Sequence, residues 1–252
     1  MESDGDEVDA LFREVMGAGE NVPLLREALR SRGASPTALL AVLRRPVPRK
    51  LLELVGTSSP WSDDVRLLGA VVLNPRTPVP LSLRLVPSLY WHDLAEAAAN
   101  PRLLGPVRVR AEAVLAERLP DLKIGERITL GRLATRLVLV RLLAEEDARV
   151  LHTCLQNPRL REEDLALAVR SEQAPRALLA EVASSSRWKD NYRVRLELVL
   201  QPRTPLALSL AQLSALVPGD LARVAQSSAL PTLVQVAAQR LLDAARSAPP
   251  DS

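Results

Sequence analysis

Few residues in this chain could do covalent or metal chemistry. There are two histidines, His92 and His152, and one cysteine, Cys154. His152 and Cys154 lie two apart on a helical stretch, where side chains point to different sides, so they do not form a nucleophile–base pair. Cys154 reads as a small core residue. A lone cysteine allows no intramolecular disulfide and no cysteine-based cluster, and the three or four ligands of a zinc site are not present at suitable spacing. Lys123-Ile124-Gly125-Glu126 lacks the spacing of a phosphate loop, and Gly125 and Gly131 read as local helix features. The sequence therefore predicts no enzyme, no cofactor and no small-molecule substrate. What remains is arginine: 33 basic residues include only three lysines, Lys50, Lys123 and Lys189. Arg76, Arg102, Arg159 and Arg203 each follow an Asn-Pro, Gln-Pro or equivalent turn. A ladder of such guanidiniums suits an acidic peptide, a phosphorylated partner or a nucleic-acid backbone; the plainer reading is solvated turn residues. Tyr90-Trp91-His92 is a second candidate for binding a partner.

The elements that must carry these residues follow from an internal repeat. Displaced so that Pro48 meets Pro175, the sequence matches itself without a gap from about Leu24 to Arg118, and 29 of the 71 pairs between Pro48 and Arg118 are identical. Trp61 falls on Trp188, Asp63 on Asp190, Arg66 on Arg193, and Pro75-Arg76-Thr77-Pro78 on Pro202-Arg203-Thr204-Pro205. Trp61 and Trp188 therefore read as structural, packing a helix entry onto the preceding unit, whereas Tyr90-Trp91-His92 faces Val217-Pro218-Gly219 and belongs to one unit only. A shorter period of ~42 residues, a length typical of helical repeats, lies beneath and pairs Ser35-Pro36 with Thr77-Pro78. Five units follow, at 35–76, 77–119, 120–161, 162–203 and 204–246. Residues 1–34 form an acidic N-terminus and partial cap, with Val8, Leu11, Phe12, Val15 and Met16 at helical spacing, and 247–252 form a disordered tail.

Asn74-Pro75-Arg76-Thr77-Pro78 punctuates the array. Asn is expected to close a helix in the left-handed conformation with Pro beyond it, and Thr77, like Thr204, to N-cap the next helix ahead of a first-turn Pro. In unit 77–119 one helix carries Leu81 and Leu85 and is ended or bent at Pro87. A second runs from Asp93 to Asn100-Pro101, and a third from Leu104 to Arg118 buries Val107, Ala111, Val114 and Leu115. In unit 120–161 a helix from about Glu126 to Ala144 is expected to turn Leu133, Leu137 and Val140 to the core. Apolar residues make up 47% of the chain and aromatics 2%, so Leu, Val and Ala must fill that core. These are strong helix-forming or helix-packing residues, and no strand pattern appears.

A unit of this length with two or three helices resembles the armadillo and HEAT repeats. The openings Asp63-Asp64-Val65-Arg66 and Asp147-Ala148-Arg149 resemble the Asp-Val-Arg start of a HEAT second helix, which implies that the Asp caps and that Arg66, Arg149 and Arg193 bond to a neighbouring repeat. The Asn-Pro-Arg-Thr-Pro junction is similar to the leucine-rich-repeat-variant solenoids of bacteria, whose iron–sulfur cluster a single cysteine rules out here. The resemblance covers residues 24–246 and implies a right-handed all-α solenoid. One unit cannot bury its own apolar face, and stacked units share a core and expose a long surface. The expected function is a cytoplasmic, non-enzymatic scaffold binding a protein partner, with an acidic one suited to the arginines. The alternative is a nucleic-acid-binding solenoid with the architecture of the HEAT-like DNA glycosylases. No stretch approaches the ~20 apolar residues of a membrane span.

Overall fold

The computed structural model describes residues 2–31 and 34–247. The disordered tail expected from 247 onward falls at and beyond the end of that range. Among the described residues there are 17 α-helices, three short 3-10 turns and no strand. The chain divides into two compact halves, residues 1–121 and 122–252. The first half holds α1 (Glu2–Ala18), α2 (Val22–Ala28), α3 (Pro36–Leu43), α4 (Arg49–Thr57), α5 (Val65–Leu73), α6 (Val79–Leu85), α7 (Trp91–Ala99) and α8 (Gly105–Arg118). The second holds α9 (Ile124–Leu133), α10 (Arg136–Leu142), α11 (Ala148–Gln156), α12 (Glu162–Arg170), α13 (Arg176–Ser184), α14 (Tyr192–Leu200), α15 (Leu206–Leu213), α16 (Pro218–Gln226) and α17 (Thr232–Ser247). Among the described residues no helix is long and apolar enough to cross a membrane.

The sequence repeat has a counterpart in the helix boundaries. Under the displacement that puts Pro48 on Pro175, α4, α5 and α7 coincide with α13, α14 and α16, and α3, α6 and α8 match α12, α15 and α17 to within two positions at either end. Within each half, extensive packing joins helices that are one or two places apart in the chain, such as α3 with α5, α6 with α8, α9 with α11, and α12 with α14. That pattern is expected when each element leans on its sequence neighbours rather than on a central core. Leucine, valine and alanine fill the interior, with Val107, Ala111, Val114 and Leu115 of α8 all buried as their helical spacing requires. In α1, Leu11 and Val15 are buried, whereas Met16 is 46% exposed.

Two sequence expectations about the turns are corrected by the backbone. Asn74 is not left-handed: it sits at φ −78°, ψ 120°, and no described residue other than glycine has positive φ. The reason is Pro75, whose ring disfavours anything but extended backbone in the residue before it. Asn74 instead closes its helix through its side chain. Its buried Nδ2 donates to the carbonyls of Leu43 (2.7 Å) and Arg45 (2.9 Å), and its Oδ1 accepts from the Arg76 N–H (3.0 Å). Those carbonyls lie at the C-terminal end of α3, where an α-helix leaves acceptors unpaired. Asn157 does the same for α9, donating to Gly131 (2.9 Å) and Arg132 (3.0 Å), and Gln201 for α12, donating to Val169 (2.7 Å) and Ser171 (2.9 Å). In α6–α8 the task passes to Arg118, whose guanidinium donates to the carbonyls of Pro87 and Leu89. Thr77 is not an N-cap either: its buried hydroxyl donates backwards to the Val71 carbonyl of α5, as Thr204 does to Leu198 (2.7 Å), and Pro78 and Pro205 take the N-cap positions. Ser35 does N-cap α3, accepting from the Ala38 N–H.

The third correction concerns α9 and α10. The continuous helix over 126–144 is interrupted by two extended residues, Ala134 and Thr135. The interruption resets the helical phase, so Leu130, Ala134, Val138, Leu139 and Leu142 are buried while Leu133, Leu137 and Val140 are 51%, 46% and 39% exposed. No glycine or proline marks the break. It falls where Asn157 takes the carbonyls of α9, and the tertiary contact overrides local propensity.

Removing the carboxamide should show its weight. Asn74→Ala would leave two buried carbonyls unpaired and is expected to cost about 2–4 kcal/mol in urea or guanidinium unfolding. Asn74→Gln should cost less than about 1 kcal/mol, because Gln201 already performs this task at the matching position. Equal losses for the two variants would refute the assignment.

Candidate functional site

The four junction arginines are all exposed, yet they are not alike. Arg159 Nη1 donates to the Leu133 carbonyl (3.1 Å) and Arg203 Nη1 to the Glu172 carbonyl (3.1 Å), so both guanidiniums reinforce the ends of α9 and α12. Arg76 and Arg102 use their backbone N–H groups on Asn74 and Asn100, while their guanidiniums make no hydrogen bond or ion pair with a described residue. Of the four junction arginines, two are anchored to the protein itself and two have open guanidiniums.

The Asp–x–Arg openings also differ from what the resemblance implied. The N-cap of α5 is Asp64, and Arg66 folds back onto it (Nη2–Oδ2 2.7 Å) rather than reaching a neighbouring helix pair. Arg149 does the same with Asp147 (2.8 Å), whose carboxyl is lowered to about 2 by that hydrogen bond. Arg193 alone points away from its own helix start, lying 3.8 Å from Glu162 of α12. Asp63 and Asp190 are exposed and do not cap: Asp63 accepts from Ser59 Oγ (2.8 Å) and Asp190 faces Arg195 (3.3 Å).

Contacts that the sequence reading missed tie the second half together. Arg136 of α10 grips the buried Asp164 of α12 with two bonds of 2.7 Å. Arg170, at the end of α12, grips the buried Glu197 of α14 through Nε (3.0 Å) and Nη2. Tyr192 of α14 donates its hydroxyl to Asp220 Oδ2 of α16 (2.5 Å) and accepts the Val217 N–H. Each partner lies 27 or 28 residues ahead, and that spacing of Arg or Tyr to acid was the available signal. The Arg136 guanidinium holds Asp164 below the usual carboxylate range, and the Tyr192 hydroxyl does the same for Asp220.

The cluster Tyr90-Trp91-His92 sits at the start of α7, with Tyr90 stacked on His92 at 5.8 Å and Trp91 edge-on to it at 6.0 Å. Next to it is Asp93, which occupies the position of Asp220. Its Oδ1 lies 3.1 Å from His92 Nε2, but its Oδ2 is buried without a hydrogen bond. The reason is one substitution: Val65 stands where Tyr192 stands in the second half and has no hydroxyl to offer. Gly69 allows the close approach, since a Cβ there would lie 2.8 Å from Asp93 Oδ2. Burial therefore raises the Asp93 carboxyl, with His92 opposing and Glu96 assisting, the reverse of Asp220. His152 is exposed 3.4 Å from Glu181, whereas Cys154 is fully buried and burial pushes its thiol up to about 12.

Trp61 and Trp188 share a register but not an environment. Trp188 is buried, donates Nε1 to the Leu155 carbonyl (2.8 Å) and is covered by Arg187 at 4.6 Å. Trp61 is half-buried. The two indoles therefore differ in burial and in hydrogen bonding.

No protein family model matches the chain, and no curated protein or solved structure is significantly similar to it. By class it is an all-α protein of short helices, each packed on its near neighbours.

The paired aspartates set up a pH experiment. A carboxyl raised on folding contributes stability below its unfolded value and loses it as pH rises through the folded value. Asp93→Asn should therefore raise the melting temperature near pH 7 by about 2–4 °C, corresponding to ~1 kcal/mol, and the gain should vanish below about pH 4, where Asp93 is protonated in both states. A gain that persists unchanged into acid would contradict the burial argument.

Proposed function

We propose that this chain is a non-enzymatic interaction scaffold, a right-handed α-solenoid of five three-helix units over residues 35–246, which binds a protein partner on its surface. The units would be α3–α5, α6–α8, α9–α11, α12–α14 and α15–α17, with α1 and α2 as the cap. The recurrence of helix boundaries between the two halves and the packing between near neighbours support this arrangement. The observation that carries the binding reading is the uncovered apolar face of α9–α10. Leu133, Leu137 and Val140 are all more than a third exposed within a short stretch of chain, and Ile124 at the start of α9 is 43% exposed. Grouped apolar exposure of this kind marks surfaces that other proteins cover. The open guanidiniums of Arg76 and Arg102 suit an acidic partner. Nucleic-acid binding has less support, since Arg159 and Arg203 commit their guanidiniums to the protein's own carbonyls and only three lysines are present.

The test compares the intact protein with a Leu133→Glu/Leu137→Glu variant. Both should melt alike, because the replaced side chains are exposed. The wild type should retain a discrete partner from native lysate of its own cells, and the variant should recover at least about tenfold less, the equivalent of ~1.4 kcal/mol. Equal recovery by the two would remove this face as the binding site. Salt-sensitive anisotropy with duplex DNA, in the absence of any retained protein, would favour the nucleic-acid reading.

A further inference from the structure

In the second half the Trp188 indole is fully used by its own chain: Arg187 lies over the ring and the Leu155 carbonyl takes Nε1. Both partners are missing around Trp61. The residue matching Arg187 is Pro60, which cannot cover a ring with charge. The carbonyl matching that of Leu155 belongs to Ala28, and it already accepts from the Ser31 N–H (3.2 Å) and the Ser31 hydroxyl (2.8 Å). Trp61 Nε1 consequently has no acceptor among the described residues, and the indole is left as one wall of a cavity of about 380 Å³.

The rest of that cavity consists mainly of hydrogen-bond donors. Arg26 and Arg30 line it from one side, Ser58 and Ser59 from the other, and the buried Leu29 also lines it. Arg26 and Arg30 are four apart along the α2 segment, so they project on the same side, where like charges repel. Neither guanidinium forms an ion pair or a hydrogen bond with a described residue. Neither of the nearest acids in sequence pairs with them: Asp63 accepts from Ser59, itself a lining residue, and from Ser62, and Glu27 shares the adjoining cleft with both arginines without an ion pair to either. Two guanidiniums, the Ser58 hydroxyl and an indole N–H, none with a partner among the described residues, make a site rich in donors and positive charge.

From this geometry we infer that the cavity between α2 and the Ser58–Trp61 turn binds a phosphate monoester. The two guanidiniums can each give paired N–H groups to phosphate oxygens. Ser58 and Trp61 Nε1 supply further donors, and the indole face lies beside whatever group carries the phosphate. A dianion also relieves the repulsion between Arg26 and Arg30. The volume falls within the range of small-ligand pockets, about 300–1,000 Å³, so it holds a phosphate together with a ring-sized carrier. The inference is independent of the protein-partner reading, since it concerns a different surface and needs no partner at α9–α10.

The experiment follows the Trp61 indole N–H resonance of the full chain by NMR, assigned with Trp61→Phe, while phenyl phosphate is added. The expected result is a saturable shift of Trp61 at millimolar concentrations or below, with the Trp188 resonance unmoved because its N–H is already bonded. Arg26→Ala with Arg30→Ala should weaken binding at least tenfold. Circular dichroism should show the fold unchanged, as both side chains are exposed. A capped phosphotyrosine tripeptide distinguishes the source: affinity equal to that of phenyl phosphate assigns the site to a small phosphorylated molecule, and affinity more than tenfold higher assigns it to a phosphorylated polypeptide. Phenylacetate or sulfate shifting Trp61 as strongly as phenyl phosphate would overturn the inference, as would the absence of any saturable shift, or binding undiminished by the double variant.

Discussion

An α-helix that ends inside a protein leaves its last carbonyls without partners, and in helices as short as most of these the carbonyls are a large share of the whole. This chain meets the problem with a side chain supplied from the second helix further on. Asn74 after α5 serves the end of α3, Asn157 after α11 the end of α9, and Gln201 after α14 the end of α12. Arg118 serves the end of the α6 segment from the end of α8. Because each carboxamide also accepts from the N–H two positions on, one buried side chain closes two helices at once. It fixes where one helix ends relative to the helix two places before it. The packing of these helices, and the placement of the turns between them, rests on that bond.

The second set of ties is electrostatic and joins helices two places apart in the chain: α10 to α12, α12 to α14 and α14 to α16. Asp164, Glu197 and Asp220 are acids with little exposure, each met by a donor from an earlier helix. A buried carboxylate without a partner is expensive, so each of these pairs specifies which helices lie side by side more than it adds net stability. The first half shows what happens when both donors are lost, with Val65 at the position of Tyr192 and Glu96 at that of Arg223. Val65 in place of a tyrosine leaves Asp93 with an unpaired oxygen and a raised carboxyl, while the fold closes over it through Gly69.

Much of the architecture was legible because the code for it is local and repeated. Pro after Asn or Gln, Ser before Pro, and leucines at helical spacing mark helix ends and faces wherever they occur, and α6, α7 and α8 fall close to the spans those signals imply. What stayed illegible depends on contacts distant along the chain, from Asn74 back to Leu43 and from Asn157 back to Gly131. Nothing in Asn74-Pro75 says that the amide reaches so far, and nothing in Leu133-Ala134-Thr135 announces an interruption. The exposure of Leu133, Leu137 and Val140 follows from that interruption, so the sequence pattern assigned them to the core. Among the junction arginines, spacing alone could not separate Arg159 and Arg203, which find carbonyls, from Arg76 and Arg102, which do not.

The comparison of the two halves bears on where binding should be sought in a chain of this kind. Positions that keep both residue type and contact from one half to the other, such as the carboxamides at 74 and 201 and the threonines at 77 and 204, are explained by packing and need no ligand. Positions that keep the residue but lose the contact are different. Trp61 retains the indole of Trp188 without its carbonyl and without its covering arginine, and the space so released is lined by cations that also lack partners. A tryptophan left partly in solvent forgoes some of the apolar burial by which it would stabilise a core. The broken equivalence at Trp61 is therefore stronger grounds for a ligand than the repeated arginines, whose recurrence is accounted for at two of four positions by helix ends.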